Sequence, residues 1–115
     1  MNWTAVSERR YHMETYFISL QITPLAENPL SEKVEEAHVY FWIIAASPEK
    51  AMERASEYLA KYRWQLNSVD TAPKEVTASD FADQEDGLMG FWKAKQKGFA
   101  AQFVAKPKPG MTQTL

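Results

Sequence analysis

Residues 37–47 read AHVYFWIIAAS, and this stretch decides the fold because it is apolar on both of its sides. In an extended chain, successive side chains point to opposite faces. The odd-numbered positions from 39 to 45 and the even-numbered positions from 40 to 44 are all apolar or aromatic. This pattern is typical of a central strand that is covered on both faces, by helices of its own chain or, on one face, by a second chain.

Three further segments predict strands around this centre. Residues 15–23, TYFISLQIT, largely alternate between apolar and polar, and Pro24 ends the segment. Residues 64–71, WQLNSVDT, form a weaker pattern that Pro73 interrupts. Residues 98–106, GFAAQFVAK, alternate again and predict the last strand.

Two segments predict helices. Ser47-Pro48-Glu49 is a strong start signal, because a serine caps the free amides, proline fits the first helical position and glutamate favours the positive end of the dipole. We expect this helix to reach about Arg63. A second helix is expected to start near 77–80, where Thr77 and Asp80 have capping-box spacing.

Glycines and a further cap refine these expectations. Gly87 and Gly90 each cost about 1 kcal/mol inside a helix relative to alanine, so we expect the second helix to break or bend there. Ser31 is a candidate cap for a short helical turn over 32–36.

The order of elements predicts one α+β domain over 1–115, with tails at 1–12 and 107–115. We expect a two-layer sandwich, in which a mainly antiparallel four-stranded sheet carries both helices on one face. The span 37–106 also fits a ferredoxin-like βαββαβ frame if the segment KEVT (74–77) supplies a short extra strand. That frame hosts many functions and predicts none of them.

Composition excludes several functional classes. The 115 residues are 45% hydrophobic with a formal net charge of −2, which favours a folded globule over a disordered or strongly basic chain. With no cysteine, disulfides and thiolate chemistry are excluded. The first residues lack the basic-then-apolar order of a signal peptide, and no apolar run is long enough to span a bilayer. We expect a soluble, cytoplasmic protein without a membrane partner.

The sequence carries no established catalytic, metal or cofactor motif, and we expect no cofactor. The acidic run DFADQEDG (80–87) resembles a calcium loop, but placing Gly87 at its sixth position puts Ala82 first and Lys93 last, where oxygen ligands are needed. The run is explained by the preference of acids for a helix start. The only histidines, His12 and His38, are on different elements.

The leading functional hypothesis is a non-catalytic interaction module that self-associates, most simply as a dimer, or binds a protein partner. If both helices cover one sheet face, the aromatic groups of the opposite face need another cover. The residues expected at this contact are Phe17, Tyr40, Trp42, Ile44 and Trp64.

Two alternatives remain open at the level of sequence. An enzyme or small-ligand site between sheet and helices would use His38, Tyr58, Tyr62, Asp80 and Lys93. A nucleic-acid surface would use the lysines of the Lys93–Lys108 segment with their aromatic neighbours, although the near-neutral charge argues against it.

Overall fold

A computed structural model describes residues 12–110 of the chain. The strands are β1 (Glu14–Pro24), β2 (Val34–Ala45), β3 (Trp64–Val76) and β4 (Phe99–Pro107). The helices are α1 (Pro48–Lys61) and α2 (Glu85–Lys97), and a single 3-10 turn, Ala78–Phe81, precedes α2. Most of the two expected tails, 1–11 and 111–115, lies outside the described residues.

The four strands form one antiparallel sheet in the order β3-β1-β2-β4. The expected α+β class, with a four-stranded antiparallel sheet and two helices, is confirmed. The segment 74–76 does not form an extra strand, because it is the last part of β3. Pro73 does not end β3 either: β3 is an edge strand, and Pro73 falls at a register shift opposite Ile18, where a missing donor is tolerated.

The helices lie on opposite faces of the sheet, which corrects the expectation that both share one face. Ala51, Ala55 and Leu59 of α1 pack with Phe41 and Ile43. Phe91 and Ala94 of α2 pack with Trp42 and Ala100 on the other side. The arrangement is therefore helix, sheet, helix, and the two-sided apolar pattern of β2 is satisfied within one chain.

The predicted helix starts are confirmed in part. Ser47 accepts a hydrogen bond from the Lys50 amide at 3.1 Å, with Pro48 in the first position of α1. The Thr77 amide donates to the Asp80 carboxylate at 2.7 Å, but this capping box opens the 3-10 turn and not α2. The helical turn expected over 32–36 is wrong, since residues from Val34 onwards pair in β2.

Both glycines of α2 lie on its buried face, where the helix approaches the sheet closely. A Cβ at Gly90 would be 2.6 Å from two carbons of the Trp42 ring, and one at Gly87 would be 2.6 Å from Phe81. α2 runs unbroken through both positions, so the expected break is wrong. Their small size serves packing against aromatic rings.

The connection between β1 and β2 is held to the end of α1 by a buried asparagine. Asn28 is 4% exposed, and its amide donates to the carbonyls of Tyr62 and Arg63 at 3.0 and 3.3 Å. Its side-chain oxygen, Oδ1, accepts a hydrogen bond from the Leu30 amide at 2.8 Å. These bonds give partners to main-chain carbonyls just after α1, where a helix leaves carbonyls without intrahelical partners. The chain turns there through Arg63, whose φ of 63° lies in the left-handed region.

Asn28→Ala should therefore lower the free energy of unfolding by about 1–2 kcal/mol, since it removes the three hydrogen bonds of a buried side chain. Urea denaturation followed by circular dichroism measures this change. The matched control is Asn67→Ala, which removes an exposed side-chain contact to Thr23 and should cost less than about 0.5 kcal/mol. Equal losses in the two variants would contradict the anchoring role of Asn28.

Candidate functional site

The residues expected at a sheet-face contact are divided between the two faces of the sheet. Trp42 is 2% exposed beneath α2, and Trp64 is 8% exposed in the core under α1. Phe17, Tyr40 and Ile44 are half-buried at the border of the α2 core. The aromatic surface that sequence reasoning left uncovered is thus largely covered by α2.

The residues expected to line one ligand pocket do not converge. Tyr58 and Tyr62 lie on the α1 side, with ring centroids 4.7 Å apart. His38 is on the opposite face, and Lys93 lies along a groove beside α2. Asp80 is engaged in the cap of the 3-10 turn. A single site that uses all five is not formed.

Tyr58 and Tyr62 do line an apolar recess of about 380 Å³ near the end of α1. Trp64 and Phe103 form its other aromatic walls, with ring centroids 5.6 Å apart. Burial raises the pKa of Tyr58, and the neighbouring Tyr62 adds to the effect, so the Tyr58 phenol stays neutral at physiological pH. The recess offers mainly apolar contact.

Ser19, His38 and Asp70 meet on the sheet face that α2 covers, beyond the start of that helix. The Nε2 atom of His38 lies 2.5 Å from Ser19 Oγ and 3.1 Å from an Asp70 carboxylate oxygen. A nucleophilic triad needs the serine on one ring nitrogen and the acid on the other. Both groups contact the same nitrogen here, so this geometry does not activate Ser19 as a nucleophile.

Charged groups elsewhere form no metal-binding set. Within residues 12–110, no group of three or more histidine and acidic side chains is close enough to hold a metal ion. The same residues contain no helix with the length and apolar character needed to cross a membrane.

The lysine-rich segment is distributed over different surfaces. Lys93, Lys95 and Lys97 are exposed along α2, whereas Lys106 lies 3.3 Å from the Glu35 carboxylate. Trp92 is exposed on α2, but Phe103 packs near Trp64 on the other face of the sheet. A continuous row of cations interleaved with aromatic rings is not formed.

Strand β4 is a sheet edge whose outer main-chain groups can be assigned from its register. Ile44 donates its amide to the Gly98 carbonyl, and Lys108 donates to Lys33, so even-numbered residues at both ends of β4 bond towards the β2 side. The register between 36–43 and 99–106 is continuous. Because antiparallel pairs alternate, the amides and carbonyls of the odd-numbered residues point outward. These residues are Phe99, Ala101, Phe103 and Ala105.

This edge is unprotected over residues 99–105, and only the last two residues of β4, Lys106 and Pro107, are of the kinds that block an edge. Residues 99–105, FAAQFVA, contain no charge and no proline, the two devices that usually block an open edge. By contrast, the other edge strand, β3, carries Asp70, Lys74, Glu75 and an interrupting Pro73. Of the two edges, β4 is the one suited to pairing with another strand.

An apolar groove of about 580 Å³ runs beside this edge, between α2 and β4. Met89 and Trp92 line it from the helix and are 64% and 52% exposed. Val104, on the same sheet face, is 59% exposed. We call β4, this groove and Val104 the β4 edge surface. Sequence reasoning missed it because strand order, which makes β4 an edge, depends on long-range pairing.

Comparisons with protein-family models, with curated proteins and with solved structures gave no match to this chain.

Proposed function

We propose that the protein is a small cytoplasmic interaction module without catalytic activity, and that it self-associates as a twofold dimer by pairing β4 with β4 of a second copy. The observation that carries this proposal is the uncharged segment 99–105 of the β4 edge, with its outward main-chain groups. Unpaired edge groups are a template for strand addition.

Twofold symmetry fits the surroundings of the strand. A twofold axis normal to the sheet pairs the two edges antiparallel and continues the sheet from one copy into the next. It also places the two α2 helices on the same face, so that Met89 and Trp92 of both copies flank the new strand pair. Exposed apolar side chains beside an open edge are then buried together.

The register follows from the uncharged segment. Centring the pair on Gln102 uses all seven uncharged residues from 99 to 105 in both copies. The main-chain groups of Gln102 point towards β2 and away from the second copy. Gln102 therefore lies opposite Gln102 of the second copy as a non-hydrogen-bonded pair. Such pairs have Cα atoms about 4.5 Å apart, within the range that a disulfide bridges.

Sedimentation equilibrium at micromolar concentration tests the association, and the expected mass is twice the 13.2 kDa of one chain. Because the chain has no cysteine, Gln102→Cys provides a specific reporter. Mild oxidation at low concentration should give a covalent dimer. The matched control is Ser68→Cys on the β3 edge, which should remain monomeric on denaturing gels.

A proline variant separates folding from association. Ala101→Pro removes an outward amide that takes no part in bonding to β2, so the fold should persist while strand pairing is lost. Its mass should fall to that of one chain with an unchanged circular dichroism spectrum. A wild-type mass of one chain throughout the micromolar range, without cross-linking through residue 102, overturns the proposal.

A further inference from the structure

A second recess, of about 420 Å³, lies between the start of α2 and the sheet. It adjoins the groove of the β4 edge surface and shares Trp42, Glu85 and Gln102 with it. Its volume falls within the range of small-ligand sites, about 300–1,000 Å³. The inference drawn from it does not depend on self-association.

The sheet side of the recess is aromatic. Phe17 and Tyr40 are half-buried, and their rings are stacked with centroids 6.0 Å apart and an interplanar angle of 19°. Phe81 and Trp42 pack against Phe17, with centroids 5.7 and 5.3 Å from its ring. Aromatic faces carry negative electrostatic potential, and this potential attracts cations.

The helix side of the recess is acidic. Glu85 and Asp86 line it, both are exposed, and neither has an ion-pair partner among residues 12–110. Among residues 12–110, no lysine or arginine lines the recess. The remaining polar lining groups, the Gln84 and Gln102 side chains, are neutral.

The start of α2 also presents a positive dipole end, which favours anions, so the two effects must be compared. The dipole is equivalent to about half a unit of positive charge, whereas Glu85 and Asp86 together carry two full negative charges. The carboxylates dominate, and the local field favours a cation.

We propose that this recess binds an organic cation, an alkylammonium or guanidinium group, with its charge over the Phe17 and Tyr40 rings and beside the carboxylates of Glu85 and Asp86. Aromatic faces with adjacent acids select a weakly hydrated cation over a small metal ion, because the rings offer no oxygen ligands. This chemistry suits a cation carried either by a free metabolite or by a peptide side chain.

Trp42 contributes its ring to the recess but not its indole N–H. The Nε1–H of Trp42 is buried and has no hydrogen-bond partner within the described part of the chain. Trp42 lines the recess, and a buried donor without a partner costs free energy. A buried atom is out of reach of a ligand in the open recess, so Trp42 contributes its aromatic ring to the site and not this donor.

Choline is the first probe, and 3,3-dimethyl-1-butanol is its neutral control of nearly the same shape. Two-dimensional NMR of the labelled protein should show choline shifting the resonances of Tyr40, Glu85 and Asp86, with a dissociation constant of about 1 mM. The neutral control should cause no saturable shift there. Equal binding of both compounds, or of neither at tens of millimolar, overturns the proposal.

Variants then assign the contacts. Tyr40→Ala should weaken choline binding about tenfold, and the double change Glu85→Gln with Asp86→Asn should weaken it by a similar factor. Asp83→Asn is the matched control, because Asp83 is exposed in the same acidic run but does not line the recess. Each variant is compared at equal folded fraction by circular dichroism. An unchanged affinity in the double variant contradicts the acidic contact.

The source of the cation follows from one more comparison. A short peptide with trimethyllysine that binds at least tenfold more tightly than choline supports a cationic side chain of a partner protein. Equal affinities support a free small molecule. If neither the peptide nor choline binds, the site does not take an organic cation.

Discussion

Trp42→Ala should lower the free energy of unfolding by about 3–5 kcal/mol, as much as the same truncation of its neighbour Phe41. Consecutive side chains of a strand point to opposite faces of the sheet. Both truncations can therefore cause this loss of stability only if a hydrophobic core covers both faces. Phe41 is fully buried under α1 and Trp42 is 2% exposed under α2. Chemical denaturation of the two variants at equal concentration measures the change.

The matched control for this prediction is Trp92→Ala, compared with Trp42→Ala in the monomeric Ala101→Pro background so that loss of the β4 contact does not add to the cost. It removes the same side chain from a position that is 52% exposed, and it should cost less than about 1.5 kcal/mol. A two-layer protein with only the Phe41 face as core would show a large loss for Phe41 and a small one for Trp42. That result would contradict the helix–sheet–helix arrangement.

Much of the local structure was predictable because its causes are local. The cap at Ser47 and the proline after it define the start of α1, and the alternation of 15–23 defines β1. Such signals depend on neighbours within a few residues, which the sequence displays directly.

The placement of α2 was not predictable from the same signals. Residues 37–47 already indicated a strand covered on both faces, but the pattern does not say whether the second cover is a helix of the same chain or another molecule. The choice depends on the path of the chain between β3 and α2, a long-range property. The 3-10 turn and Phe81 bring α2 over Trp42.

The candidate sites also combine residues that the sequence singled out with contacts that depend on long-range packing. Sequence reasoning named Tyr40 and Trp42, and the structure brings them together with Glu85 and Asp86 in one recess. The acids had been explained by the dipole of the helix alone. Their position beside aromatic rings follows from the packing of α2, and no spacing in the sequence signals it.

A glycine lowers the propensity of a helix but also allows close packing against a neighbouring group. Gly90 allows these two effects to be separated by experiment. Gly90→Ala should lower the free energy of unfolding by about 2–3 kcal/mol, although alanine is the better helix former by about 1 kcal/mol. The added Cβ would lie 2.6–2.7 Å from three ring carbons of Trp42, whose side chain is 2% exposed, so the ring or the helix would have to shift. The steric cost therefore exceeds the gain in helix propensity.

A double-mutant cycle tests this explanation. In the Trp42→Ala background the obstructing ring is absent, so Gly90→Ala should become neutral or stabilise the protein by up to about 1 kcal/mol. Met89→Ala, at a neighbouring position of α2 that is 64% exposed, should change the stability by the same amount in both backgrounds. If Gly90→Ala destabilises both backgrounds equally, the contact with Trp42 is not the cause. A gain in stability in the wild-type background would mean that α2 does not lie against the ring, and the second core would then be wrong.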